Sequence, residues 1–123
     1  MNTISSILAL LLAFAIPTQA EQFGLFTYAV IDGKITITDY DTWATGPVEI
    51  PAEIAGLPVT TIGRNAFDQC YRLSSITIPE GVTSIGPSAF TQCTSLTSVT
   101  IPESVAEIGY GAFWGCTGLA SIE

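Results

Sequence analysis

The sequence predicts a parallel β-solenoid, mainly β with short helical turns, closed at its N-terminal end by a β-hairpin. Three observations carry this. Ile62-Gly63-Arg64-Asn65-Ala66-Phe67 returns as Ile85-Gly86-Pro87-Ser88-Ala89-Phe90 and again as Ile108-Gly109-Tyr110-Gly111-Ala112-Phe113, at one constant step along the chain. Each period also holds an alternating apolar stretch that ends in proline, as in Ser75-Ile76-Thr77-Ile78-Pro79. Ahead of the repeats, residues 23–40 alternate around Asp32-Gly33. A fixed short period marks units that bury their apolar faces only by stacking on one another. Such arrays usually present a long surface and seldom carry chemistry.

Residues 1–20 read as a secretory signal peptide. Ile7 to Ile16 is an unbroken apolar run, Pro17 interrupts it, and Thr18-Gln19-Ala20 supplies small residues for cleavage after Ala20. The run is too short for a membrane span, which needs ~20 apolar residues. No cysteine follows the cleavage position, so no lipid anchor is indicated. The expected product is exported, with no membrane span.

Residues 21–47 read as a hairpin cap and its connector. Phe26, Tyr28 and Val30 alternate with Thr27 and Ala29, and Ile35 and Ile37 alternate with Thr36 and Thr38. Asp-Gly between two such runs favours a two-residue turn with positive φ. An amphipathic hairpin can cover the exposed face of a first coil, whereas alone it is marginal in water. Asp41–Pro47 is turn-rich, and Trp43 within it reads either as a packing anchor, the favoured reading, or as an exposed contact.

Residues 48–123 read as the solenoid. Val48-Glu49-Ile50-Pro51 resembles Ile76-Thr77-Ile78-Pro79 and Val99-Thr100-Ile101-Pro102, so a degenerate coil occupies 48–61. The interval from Ile50 to Ile62 is longer than its counterpart from Ile78 to Ile85, and the five extra residues are placed in a bulge around Ile54–Val59. Full repeats at 62–84 and 85–107 agree at 13 of 23 positions, and 108–123 is a partial one. In a regular coil Leu73, Ile76, Ile78, Val82, Ile85, Ala89, Phe90 and Cys93 are the expected core. Ser75–Ile78 forms the main strand, and Pro79 stops it because proline cannot donate to a continuing ladder. Val82–Ile85 forms a minor strand, and Gly86 suits a turn with positive φ. Ser88–Cys93 is expected to make one helical turn capped by Ser88. Phe67, Phe90 and Phe113 should stack inside as a column.

Composition excludes several functions. Lys34, Arg64 and Arg72 oppose eleven acids, for a net charge of −8. Phosphate contacts need clustered Lys and Arg, so nucleic acid is not an expected partner. The chain has no histidine, which removes Ser-His and Cys-His nucleophiles and His-ligated zinc. Cys70, Cys93 and Cys116 recur at the same constant step and belong to the repeat. Buried thiols are the favoured reading. An inter-coil disulfide is the alternative, poorly served by side chains that point the same way, and metal binding ranks last. Glu80 and Glu103 share one repeat position after Ile-Pro, where a solvated ladder accounts for them better than paired acid chemistry. The glycines lack the lysine and spacing of a phosphate loop. No catalytic, cofactor or metal residues are assigned, and an enzyme is not expected.

The order Ile-Gly-x-x-Ala-Phe-x-x-Cys-x-x-Leu-x-x-Ile-x-Ile-Pro-x-x-Val, met at 62–84 and 85–107 and in part at 108–122, resembles the BspA-type leucine-rich repeat family of bacterial surface proteins. Phe26-Thr27-Tyr28 and Gly56-Leu57-Pro58-Val59 resemble its lead-in. The resemblance covers nearly all the chain after Ala20. It implies a curved, leucine-rich-repeat-like parallel β-solenoid. It also implies secreted or cell-surface proteins that adhere, bind host or matrix proteins, or aggregate cells. It defines no catalytic residues, so none are carried over.

Candidate contacts follow from two patterns. Ser75 and Thr77 align with Ser98 and Thr100 and should face outward as a hydroxyl-rich sheet, although strand preference alone would also place them there. Tyr71 and Arg72 stand where the other coils have Thr94-Ser95 and Thr117-Gly118, and Trp114 stands where they have Asp68 and Thr91. Residues that depart from a repeat are better contact candidates than residues that keep it, and Tyr, Trp and Arg are enriched at binding hot spots. Ser121-Ile122-Glu123 falls in mid-repeat, so the sequence is expected to be the start of a longer protein, or to self-associate through an open C-terminal edge. The expected function is a secreted or cell-surface, non-catalytic module that binds an extracellular protein or glycan. Targeting repeats of a larger secreted enzyme, and a plain spacer, are the alternatives.

Overall fold

A computed structural model describes residues 20–123, so the expected signal peptide lies outside the described residues. The chain opens with β1 (Glu21–Phe23), β2 (Phe26–Ile31) and β3 (Lys34–Tyr40). These pair antiparallel in succession, with Ile31 opposite Lys34 across Asp32-Gly33. Both turn residues have positive φ, 53° and 75°. That geometry matches the right-handed twist of the flanking strands. The hairpin does not stand apart, because β3 pairs in parallel with β6 (Leu57–Ile62) and so becomes part of the solenoid wall.

From residue 46 the chain winds through two parallel sheets. β4 (Gly46–Glu49), β7 (Leu73–Thr77), β9 (Ser98–Thr100) and β11 (Ser121–Ile122) lie side by side as one wall of four rungs. Equivalent residues pair in register: Ile76 with Val99, and Val99 with Ile122. The second wall continues from β3 through β6 to β8 (Ser84–Ile85) and β10 (Glu107–Ile108). The five extra residues of the first coil form a hairpin rather than a bulge. β5 (Glu53–Ile54) folds antiparallel onto β6 through Ala55 and Gly56, both at positive φ.

The third wall corrects one expectation. Residues 86–93 contain no helical turn, and neither do their equivalents. Asn65, Gln69, Ser88 and Gln92 have φ between 58° and 63°, and Gly111 and Gly115 take the same role at 65° and 77°. A left-handed residue at every fourth position cannot belong to an α-helix. The hydrogen bonds show what replaces it. Ala66, Asp68 and Cys70 donate three residues back, to Gly63, Asn65 and Phe67. The alternate residues Asn65, Phe67 and Gln69 donate to Pro87, Ala89 and Thr91 of the next coil, at 3.2, 2.7 and 2.8 Å. Ser88, Phe90 and Gln92 repeat this toward Tyr110, Ala112 and Trp114. The wall is a run of linked turns in which every second amide ties adjacent coils together. Ser88 is therefore a left-handed turn residue and not a helix cap.

Gly86 also differs from expectation. Its φ is not positive; it is glycine because the neighbouring coil passes too close for a side chain. An added Cβ would meet the Arg64 nitrogen at 2.8 Å and the Gly63 carbonyl carbon at 2.9 Å. Gly63 meets the Ile37 carbonyl oxygen in the same way, at 2.9 Å.

The core is apolar throughout. Leu73, Ile76, Ile78, Val82, Ile85, Ala89, Phe90 and Cys93 are all buried, and no polar or charged residue is buried among the described residues. The phenylalanines stack in file, Phe67 on Phe90 at 5.0 Å and Phe90 on Phe113 at 5.2 Å between ring centroids. Tyr40 continues the column above Phe67 at 5.1 Å, and Phe26 packs on Tyr40 at 4.9 Å. The hairpin thus covers the first coil with aromatic rings of its own. At the other end Phe113 is only partly buried.

Truncation should reveal this gradient. Phe90→Ala is expected to cost ~3–5 kcal/mol, as for other fully buried phenylalanines. Phe113→Ala should cost clearly less. Chemical denaturation of the two variants checks this; equal losses would remove the gradient, and almost none at Phe90 would place that ring outside the core.

Candidate functional site

The residues that break the repeat fall at different places. Tyr71 and Arg72 come together with Trp43, Thr42 and Gln69 around a cleft of about 340 Å³. The cleft forms at the seam between the connector and the Phe67 coil. Asp41 builds its connector side: its carboxylate accepts from the Trp43 amide at 2.9 Å, and its carbonyl accepts from Ala44 at 3.1 Å. Gly46 then donates to the Arg72 carbonyl at 3.1 Å, which fixes the connector against the coil. Trp43 is not the buried anchor the sequence led us to expect. It is 72% exposed and lies against the Arg72 guanidinium, 5.0 Å from ring centroid to Cζ. An indole can hold a guanidinium in this way through the negative potential of its face. Tyr71 is exposed beside it.

Sequence reasoning found Tyr71 and Arg72 but not their partners. Trp43 stands among Asp41, Thr42, Ala44 and Thr45, with no alternating apolar neighbours to carry it inward. That was the available signal. Gln69 keeps the repeat, as Gln92 does, and joins the cleft only because the connector passes nearby.

Ser75, Thr77, Ser98 and Thr100 form the second surface. Ser75 pairs with Ser98, and Thr77 with Thr100, on the outer face of the four-stranded sheet. Thr77 and Thr100 are exposed and the two serines half-buried. Other hydroxyls are spent on holding the coils together. Thr83 donates to the Thr60 carbonyl, Thr97 to Ser74, and Ser104 to Val82 while accepting from the Gly81 amide. The outward quartet makes no such bond among the described residues and is left to solvent.

Trp114 lies apart from both, on the terminal coil. It is 65% exposed, with Ile108 and Ile122 about half exposed and Tyr110 almost wholly so. All four lie on the last coil of the described residues, beside the partly buried Phe113.

The thiols are a core feature. All three cysteines are free, Cys70 and Cys93 buried and Cys116 half-buried. Cys93 donates to the Phe67 carbonyl at 3.1 Å, and Cys116 to Phe90 at 3.0 Å, each reaching back one coil. Burial, followed by the nearby carboxylates of Asp39, Asp68 and Asp41, pushes the Cys70 thiol up to about 12. Such a thiol is a poor nucleophile and metal ligand near neutral pH. No group of three or more metal-ligating side chains occurs among the described residues.

The family model for the BspA type leucine rich repeat region matches residues 57–123 in 6 copies. A leucine rich cell surface protein from Faecalibacterium prausnitzii has a similar structure, with a TM-score of 0.75 and 34% identity over 89% of this chain and 31% of its own. A leucine-rich repeat protein from Bacteroides ovatus gives 0.74 and 31% over 83% of this chain and 28% of its own. Another, from Bacteroides capillosus, gives 0.60 and 26% over 84% of this chain and 96% of its own. The chain spans about a third of the length of the first two proteins. No curated protein matches it.

The raised thiol makes stability depend on pH. Between the ordinary cysteine value of 9.0 and about 12, the folded chain keeps a proton that the unfolded chain releases. Stability is therefore complete below the lower value and lost as pH rises through the upper. Tyr40 adds to the same loss, its phenol raised by burial and then by Cys70 and Asp41. The melting temperature should fall as pH rises above about 9, less steeply in Cys70→Ala. A thermal melt series checks this; a flat alkaline limb would show that Cys70 is not held as described.

Proposed function

This chain belongs to the BspA-type leucine-rich repeat family, and from that premise we propose that it is a secreted or cell-surface, non-catalytic module that binds an extracellular protein or glycan. Repeat families of this kind are generally non-catalytic. The observation that supports the reading most is the convergence of Trp43, Tyr71 and Arg72 on one cleft. The repeat itself commits its apolar positions to the core and many of its hydroxyls to coil-to-coil bonds. Tyr71 and Arg72 do neither, and neither does Trp43, yet the seam brings all three together. Exposed aromatics beside an arginine have the composition of a binding hot spot. The outer hydroxyls of Ser75, Thr77, Ser98 and Thr100 extend the same wall with polar groups suited to hydrogen bonding.

A screen of the purified protein against matrix proteins and glycans tests this. At least one ligand should bind, and Trp43→Ala should weaken it by roughly 30-fold, the range of a hot-spot truncation. Because Trp43 is exposed, that variant should melt like the parent. A folded protein that binds nothing on either panel would overturn the reading.

A further inference from the structure

We propose that the Trp43–Arg72–Tyr71 cleft is a site for a sugar carrying a carboxylate, of the uronic-acid type, an inference that rests on the binding-module reading and gives its ligand a chemical class. Arg72 is one of three cations in a chain with eleven acids. Among the described residues its guanidinium nevertheless makes no ion pair and no side-chain hydrogen bond; its partner is the Trp43 ring. The contact sets the Cζ over the ring at 5.0 Å and uses none of the guanidinium N–H groups in a side-chain hydrogen bond. Those groups form the rigid fork that matches a carboxylate bidentately. The indole therefore orients the donor set and does not use it.

The rest of the cleft favours a sugar over a peptide. Its polar groups are the Thr42 hydroxyl, the Gln69 amide and the Tyr71 phenol, each able to donate and accept as ring hydroxyls require. The exposed Trp43 and Tyr71 rings offer flat surfaces to the C–H faces of a pyranose. An extended peptide is held through main-chain hydrogen bonds. The cleft has few to give: the Trp43 amide is bound to Asp41, the Tyr71 amide to Gln69, and the Arg72 carbonyl accepts from Gly46. The net charge of −8 sets a further limit. A long polyanion would be repelled along the rest of the surface, so the site suits one carboxylate at the cleft, at a chain end or between neutral sugars.

The test uses a disaccharide ending in glucuronic acid and the same disaccharide with its carboxylate reduced to an alcohol. Titration calorimetry should show the acid binding at least ten-fold more tightly. Arg72→Gln should abolish that preference. Arg72→Lys, which keeps the charge but loses the fork, should lose most of it. Trp43→Ala should weaken both sugars, and all three variants should melt like the parent. Equal binding of the two sugars, or a preference indifferent to Arg72, overturns the proposal. So does a peptide with a free C-terminal carboxylate that binds through Arg72 while the sugar does not. If the sugars fail but the protein binds another partner in the screen, only this proposal falls. If nothing binds at all, the module reading falls with it.

Discussion

The fold rests on holding successive coils at one short spacing on all three walls at once. That spacing is close to the ~4.8 Å of neighbouring β-strands. The two sheets set it through their ladders. The third wall has no strand and reaches it by another route, in which alternate amides turn back within the coil or cross to the next. Phe67, Phe90 and Phe113 can stack at 5.0 and 5.2 Å only because all three walls agree. Gly63 and Gly86 are part of the same constraint. A methyl group at Gly86 would press on the backbone at Arg64 and Gly63, and would open the spacing for every side chain in that rung.

This constraint decides where function can lie. The interior is filled by stacked copies of the same apolar residues, with no buried polar group among the described residues. Even the cysteines are absorbed. Each of the later two donates its proton back to a phenylalanine carbonyl of the preceding coil, which ties a thiol to the same vertical order as the rings. What remains for recognition is the outside, and most of the outside is repetitive. Thr60, Thr83, Ser74 and Thr97 recur because they, or their carbonyls, join the coils. Only positions free of that duty can diversify.

The constant period made the stacking and the buried set legible, because equivalent residues in a solenoid must share an environment. The Asp32-Gly33 turn was legible through its need for positive φ. Three features were not. The linked turns of residues 86–93 look helical in sequence, since Ala89, Phe90 and Cys93 sit at helical spacing. Left-handed backbone at Ser88 and Gln92 is set by the next coil rather than by local preference. Gly86 looks like a turn residue, but its reason lies in Gly63 and Arg64, one coil away. Trp43 looks like an anchor because tryptophan carries a large apolar surface, yet the aromatic layer over the first coil was already made by Phe26 and Tyr40. The cleft was half visible. Tyr71 and Arg72 stood out as departures from the repeat, but no local pattern joins residue 43 to residue 72. That contact depends on Gly46 beginning the strand beside Leu73.

The location of the cleft follows from the same geometry. Between two regular coils every surface position faces its own equivalent, so a hollow there, such as the one between residues 84–87 and 106–109, is lined by repeated positions. At the junction of connector and first coil, the neighbours are not equivalent. The connector already departs from the period, and its only fixed obligations are to deliver β3 to one wall and β4 to the other. A side chain placed there can meet a coil residue without disturbing the ladder beneath, as Trp43 meets Arg72. The exposed indole also solves an electrostatic problem. An arginine on so acidic a surface would otherwise be drawn to the nearest carboxylate. Held by an uncharged ring, it keeps its hydrogen-bonding edge available.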